Sequence, residues 1–193
     1  MRVAVEIELR FELSREEFDS FRQEWDWSAP TRVCDLTLGP SGATSMQIDG
    51  WVVRVRQQGA QARLEYKAPR DPAWSAWLEY GTEVGDFRET VRILSATGLR
   101  AGLVVDRSRR TAHDGLITLA LDDVRGLGHF IEIAAEADDP ADPTAHSAIA
   151  ATQARLGLTG RPTARPYGEL LLARLQEPDF QARHAQLLAA LTA

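Results

Sequence analysis

The segment Glu6-Ile7-Glu8-Leu9-Arg10 constrains the fold more than any other stretch of the chain. Charged and apolar side chains alternate through it, and a β-strand sends residues i, i+2 and i+4 to one face. Glu6, Glu8 and Arg10 therefore share one side of a strand, while Val5, Ile7, Leu9 and Phe11 share the other. The apolar side meets a core. The charged side is either ordinary solvated surface or the wall of a wet, charged cavity, and the other strands decide between the two.

A chain of 193 residues suffices for one domain with a substantial core. Its formal charge of −6 argues against non-specific binding to nucleic acid or an anionic membrane, though it leaves room for a local basic cavity. One cysteine, Cys34, excludes an internal disulfide framework and a cysteine-based zinc site, and reads as a small buried hydrophobe. No apolar run approaches the ~20 residues of a membrane span, and the N-terminus lacks a signal-peptide apolar region, so a cytoplasmic location is expected. Of the 22 basic residues, all but Lys67 are arginine. That bias fits genome composition, under which arginine often replaces lysine neutrally, and the one retained lysine stands out.

Along the chain, Ser14-Arg15-Glu16-Glu17 is a capping-box start for a helix with Phe18, Phe21 and Trp25 at helical spacing. Residues 28–50 are turn-rich, with one short strand near Arg32–Leu38. Trp51–Arg56 and Ala62–Ala68 around Gly59 read as a hairpin; Pro69–Ala73 breaks the chain, and Trp77–Val84 resumes as strand. Asp86 caps a helix over Phe87–Ala96 that Gly98 ends. Leu103–Thr111, Leu116–Val124 and Gly128–Glu136 are further strands, with His113-Asp114-Gly115 as a turn and His129 a polar loop neighbour. Helices follow at about 144–156, 167–176 and 178–192. Seven or eight strands with short connections favour a large antiparallel sheet, curled or closed, over a βαβ fold.

The alternation of the first strand recurs. Arg54 and Arg56 share a face, as do Arg63, Glu65 and Lys67; Glu79 and Glu83 flank Gly81; Arg107 pairs with Arg109; Asp122 alternates with Ala120 and Thr118; Glu132 and Glu136 flank Ala134. An open antiparallel sheet with one wet face explains any single strand. A solvated face, however, usually mixes signs, whereas here arginines gather on some strands and carboxylates on others. Clustered cations beside clustered carboxylates suit a polyphosphate bound with a divalent metal. Arginine forks grip phosphate oxygens, and carboxylates hold a hard cation that bridges to them.

These residues resemble the CYTH superfamily, the triphosphate tunnel metalloenzymes. Its opening Glu-x-Glu-x-Lys is matched by Glu6-Ile7-Glu8-Leu9-Arg10, its paired-basic strand by Arg54-Val55-Arg56, and its Tyr-Lys-Gly-Pro segment by Tyr66-Lys67-Ala68-Pro69. Arg107-Ser108-Arg109 and the run from Leu121 to Ile133 follow in family order, and Tyr167–Leu171 resembles the late Ser-Tyr-x-x-Leu-Leu helix. The resemblance implies an α+β fold, an eight-stranded antiparallel β-barrel (a tunnel) with flanking helices. It spans residues 1–176, followed by a C-terminal helical extension at 177–193. It implies Arg54, Arg56, Arg63, Lys67, Arg107 and Arg109 on the phosphates, and Glu6, Glu8, Glu132, Asp122 and Glu83 on Mg²⁺ or Mn²⁺. Lys67 and Arg10 become the candidate catalytic residues.

The chain departs from the family pattern at five positions. Arg10 replaces a lysine that the family uses in proton transfer, and a permanently charged guanidinium is a poor base. Gly81 and Ala134 stand where carboxylates are expected, with Glu79 at an arginine position, and Asp106 stands where a basic residue is common. The resemblance implies a metal-dependent enzyme acting on a small polyphosphate, most simply a class IV adenylyl cyclase-like protein making cyclic AMP and pyrophosphate from ATP. The alternatives are a thiamine, inorganic or nucleoside triphosphatase, and a divergent member that binds a phosphorylated ligand or acts on another diphosphate-bearing substrate. Trp51, Trp74 and Trp77 are packing residues in the plain interpretation, or platforms for a base or thiazole. No nucleic-acid or membrane partner is expected; a homodimer is compatible with the family, whose members pair.

Overall fold

The computed structural model describes residues 5–71, 76–160, 162–163 and 165–192. Eight antiparallel strands close into a barrel. Their ring order is β1 (Val5–Leu13), β5 (Ala76–Val84), β4 (Gln61–Asp71), β3 (Val52–Gln58), β2 (Thr31–Gly39), β6 (Arg100–Asp114), β7 (Ile117–Val124) and β8 (Gly128–Ala137), and β8 pairs back onto β1. The sheet is therefore closed rather than merely curled, which removes the free edges that an open sheet would present. In this ring β1 stands opposite β2.

Helices pack on the barrel, most of them from outside. They are α1 (Arg15–Glu24), α3 (Phe87–Ala96), α4 (Pro143–Arg155), α5 (Tyr167–Arg174) and α6 (Pro178–Thr192), with a one-turn 3-10 segment, Gly42–Thr44, and a short α2 (Ser45–Ile48) between β2 and β3. Ser14 and Glu17 close the expected capping box on α1, and the Asp86 carboxylate accepts the Glu89 N–H at 2.7 Å to start α3. No helix among the described residues is long and apolar enough to cross a membrane.

The apolar faces of the strands point outward, toward these helices. Ile7, Phe11, Leu119, Leu121, Ile131 and Ile133 pack under Phe18 and Phe21 of α1 and Ala145 and Ile149 of α4. Leu36, Leu38, Val55 and Val104 pack under Phe87 and Val91 of α3, with Leu187, Leu188 and Leu191 of α6 against them. Each such side chain stabilises the fold by about 1.5–3 kcal/mol through removal from water. Cys34 belongs to this outer layer, where burial pushes its thiol up to about 11.

A third cluster lies on the inward side. Tyr167 and Leu171 of α5, with Phe180, pack on Leu103, Val105, Val124 and Phe130, so α5 fills part of the barrel interior.

Three boundaries differ from the sequence expectation. β4 continues past Pro69 to Asp71, and its pairing with β5 slips between Pro69 and Asp71; proline lacks the ladder N–H and is tolerated at such an irregularity. β6 runs through His113 and Asp114 before turning at Gly115, whose φ of +58° suits glycine. The turn-rich segment holds a nine-residue strand and two short helical turns rather than one short strand.

Candidate functional site

Register carries the charged side chains into the interior. Directly paired residues share a face of the sheet. Asp35, Arg56, Arg63 and Glu83 form one rung across β2, β3, β4 and β5; Thr37, Arg54, Glu65 and Gly81 form the next; Val52, Lys67 and Glu79 form a third. On the far side Arg10 pairs with Glu132, and Arg109 with Asp122.

The interior holds a cavity of about 160 Å³. Since a water needs roughly 10–15 Å³ measured this way, the lumen has room for on the order of ten waters. Six cationic groups line it (Arg10, Arg54, Arg56, Lys67, Arg107 and Arg109), together with six carboxylates: Glu6, Glu8, Asp35, Glu79, Glu132 and Glu169. The lining is formally neutral.

Ion pairs organise the lumen into two banks. In the first, Asp35 accepts a bidentate pair from Arg56, Nε at 2.7 Å and Nη2 at 3.0 Å, plus Nη1 of Arg107 at 2.8 Å. Arg54 donates to Glu65 at 2.6 Å and lies 3.7 Å from Asp35, while Lys67 Nζ sits 2.5 Å from Glu79 and 4.6 Å from the centre of the Trp77 ring. Burial works against the charge of Asp35, but Arg107, Arg56 and Arg54 outweigh it and hold its carboxyl well below the usual range.

In the second bank, Arg10 donates to Glu132, to Glu8 at 3.1 Å and to the Arg165 carbonyl at 3.1 Å, and its guanidinium lies over the Tyr167 ring. Arg109 grips Asp122 through Nε at 2.7 Å and also reaches Glu132. The Tyr167 hydroxyl donates to Asp122 at 2.8 Å. Burial opposes the charge of Glu132 as well, yet Arg109, Arg10 and Arg107 keep its carboxyl strongly acidic.

Glu6 is the exception. It makes no hydrogen bond or ion pair among the described residues, and burial raises its carboxyl to about 7, with Glu8, Glu79 and Glu132 adding to the rise against Lys67.

The structure brings together most of the residues that the sequence singles out. Arg10, Arg54, Arg56, Lys67, Arg107, Arg109, Glu6, Glu8 and Glu132 all line the cavity. Asp122 is fully buried behind Arg109 and does not line it. Arg63, with its side chain 44% exposed, and Glu83, also exposed, share the Arg56 rung but stand outside the cavity lining. Trp77 lines the cavity, Trp51 stacks on Tyr66 at 5.8 Å, and Trp74 lies outside the described residues. His113 is exposed at the end of β6, and His129 stacks on Phe18 at 4.4 Å, so both stand apart from the cavity.

Sequence reasoning missed Asp35. Its signal was parity: Asp35 and Thr37 alternate against Cys34, Leu36 and Leu38, as the charged and apolar residues do in β1. Gly81 is explained by its neighbours, because a Cβ there would sit 3.0 Å from Arg63 Nη2 and 3.2 Å from Glu65 Cγ. Glu65, one strand over, fills the space that a side chain at 81 would use.

Among the described residues no group of three or more His, Cys, Asp or Glu side chains is arranged as a metal cage. Glu132 is committed to two arginines, leaving Glu6 and Glu8 as the adjacent carboxylates with coordinating capacity. A pair of carboxylates suits a cation that draws its other ligands from water and phosphate rather than from the protein.

A closed antiparallel barrel with a lumen of paired opposite charges defines a class of tunnel-bearing β-barrel proteins. The CYTH domain family matches residues 4–160, and the chain belongs to that family. No curated protein sequence matches it. Among solved structures it is similar to a protein of Pyrococcus horikoshii OT3, with a TM-score of 0.72 and 24% identity over 88% of this chain and 99% of that one. A candidate adenylate cyclase of Vibrio parahaemolyticus gives 0.64 and 19%, covering 86% and 97%. A candidate adenylyl cyclase from Hippeastrum, described as having a dominant triphosphatase activity, gives 0.60 and 15%, covering 84% and 92%. All three share its fold.

Proposed function

We propose that the chain is a divalent-metal-dependent enzyme that acts on a triphosphate held in the tunnel, converting ATP to cyclic AMP and pyrophosphate. The observation that carries this reading is the placement of two unlike banks across one lumen. Arg54, Arg56 and Arg107 converge from the strands flanking β2, with Lys67 one strand further round the ring, and Glu6 and Glu8 face them from β1. Arginine forks bind phosphate oxygens in a fixed plane, and lysine adds a point charge.

Neutrality of the lining supports the metal. A triphosphate carries several negative charges, and a lumen with equal numbers of cations and carboxylates offers no surplus to neutralise them. Glu6 and Glu8 would hold a cation that supplies that surplus. Bound there, Mg²⁺ or Mn²⁺ would lower the pKa of an attacking hydroxyl and offset charge on the phosphates. The chain's own residues position the phosphates and hold them away from bulk water. Arg10, with its donors engaged by Glu8, Glu132 and a carbonyl, acts as an organiser of the carboxylate bank rather than as a proton carrier.

Ala43, Met46, Val52, Trp77 and Leu103 form an apolar part of the lining, which favours a substrate with an organic head-group over inorganic triphosphate. Hydrolysis of the same triphosphate is the second reading, favoured by a cavity roomy enough for the attacking water. Incubation with Mg²⁺ or Mn²⁺ and ATP, thiamine triphosphate or triphosphate, followed by product identification, separates them: cyclic nucleotide supports the first and orthophosphate the second. Lys67→Ala and Glu8→Ala should each abolish turnover, and full activity in either variant removes the site assignment.

A further inference from the structure

We propose that Asp35 is the positioning residue that holds Arg54, Arg56 and Arg107 together as one anion-gripping fork; this rests on the tunnel being a triphosphate site. β3 and β6 both flank β2 but do not touch each other in the ring. Their arginines can therefore share a focus only through a side chain that β2 projects inward. Asp35 is that side chain: it is 2% exposed, chelates Arg56 through both carboxylate oxygens, and accepts Nη1 of Arg107 on one of them. Nη1 of Arg54 lies 3.7 Å from the same oxygen.

The arrangement does more than neutralise. Glu65 also accepts from Arg54 and Asp122 also faces Arg107, but Asp35 is the carboxylate that all three guanidinium groups share, and like charges this close would otherwise swing apart. The guanidinium edges turned away from Asp35 remain as donors. Nε of Arg107 is buried, makes no hydrogen bond among the described residues and lies 3.5 Å from the Asp122 carboxylate. Three arginines held at one focus suit several consecutive phosphates better than one, so Asp35 should set preference for a chain of phosphates over orthophosphate.

The opposite role is also physically defined: an Asp35 that only occupied the arginines would compete with phosphate, and removing its charge would tighten binding. Titration calorimetry with inorganic triphosphate and, separately, orthophosphate, at fixed Mg²⁺, distinguishes the roles. Asp35→Asn keeps the size and raises the net positive charge. Positioning predicts at least a tenfold loss of triphosphate affinity with a smaller change for orthophosphate, so that discrimination between the two narrows. Asp35→Glu keeps the buried charge, guarding against a variant that fails to fold, but displaces the carboxylate by one methylene; it should also lose triphosphate affinity. Unchanged or tighter triphosphate binding in either folded variant overturns the proposal while leaving the tunnel reading intact. A wild-type chain that binds no triphosphate overturns the tunnel reading and this proposal with it.

Discussion

The guanidinium of Arg10 lies 4.1 Å from the centre of the Tyr167 ring, whose hydroxyl donates at 2.8 Å to Asp122. One tyrosine thus supports the carboxylate bank twice, under its cation and behind its anion. α5 delivers it from the inward side, where the ring edge also meets Phe130 with centroids 5.0 Å apart. Burial, with Glu132 and Asp122 nearby, pushes the phenol well above its ordinary pKa, so it serves as a donor throughout the working range.

Replacing Tyr167 by Phe keeps the ring beneath Arg10 and deletes only the hydrogen bond to the buried carboxylate. A hydrogen bond to a charged group contributes about 1.5–3 kcal/mol, and urea denaturation should find a loss in that range. Tyr167→Ala should cost about 3–5 kcal/mol, since it also opens a cavity. Equal losses from the two variants would mean that the hydroxyl carries no separate weight.

Glu6 predicts a pH dependence of stability with an unusual sign. Its folded pKa of about 7 lies above the ordinary 4.5, so the folded chain holds this proton more tightly than the unfolded chain does. The stabilising contribution is complete below pH 4.5 and is lost as pH rises through 7. Glu6→Gln should therefore be close to neutral at pH 5 and stabilising at pH 8, by on the order of 2–3 kcal/mol, in denaturant titrations free of divalent cation. A variant that is less stable than the wild type at pH 8 contradicts the burial of an unpaired carboxylate.

Phe180 of α6 presses on Gly126, where a Cβ would lie 2.5 Å from the Phe180 ring and φ is +81°. Gly126→Ala meets both a clash and backbone strain, and a loss of about 2 kcal/mol or more is expected. Phe180→Ala should cost about 3–5 kcal/mol. Thermal or urea melts of both variants test whether α6 is part of the cooperative unit; two unchanged midpoints would show that it is not.

At Gly81 the neighbours are the flexible ends of Arg63 and the stem of Glu65 rather than backbone, at 3.0 and 3.2 Å. Gly81→Ala should stay within about 1 kcal/mol of the wild type, because a long side chain yields at small cost. Gly81→Glu places a second carboxylate directly opposite Glu65, and like charges across a pair destabilise. Denaturation midpoints should fall further for Glu than for Ala; the reverse order would mean that the position has room for the carboxylate it lacks.

Alternation in Glu6–Phe11, Arg54–Arg56 and Arg107–Arg109 was readable from the chain because side-chain period is a local property of a strand. So were the capping box at Ser14 and the outward packing of Phe18 and Phe21, since spacing along a helix obeys the same local geometry. Most of the cavity lining followed from those faces. Asp35 did not, because a single carboxylate within a turn-rich segment gives too short a pattern, and its importance comes from Arg56 and Arg107, 21 and 72 positions away in sequence but on strands adjacent to its own in the ring, β3 and β6. Arg63 and Glu83 had the right face and the wrong depth, a distinction that alternation does not carry.

Period-two patterning along each strand told which side chains travel together. Closure of the ring told what they travel toward: it set β1 across from β2, turned the charged faces inward, and gave Arg10 and Arg107 carboxylates, Glu132 and Asp35, from strands distant in sequence. Pairing of that kind depends on through-space separation of a few ångströms between segments that no local rule relates, and so it exists only in the folded barrel.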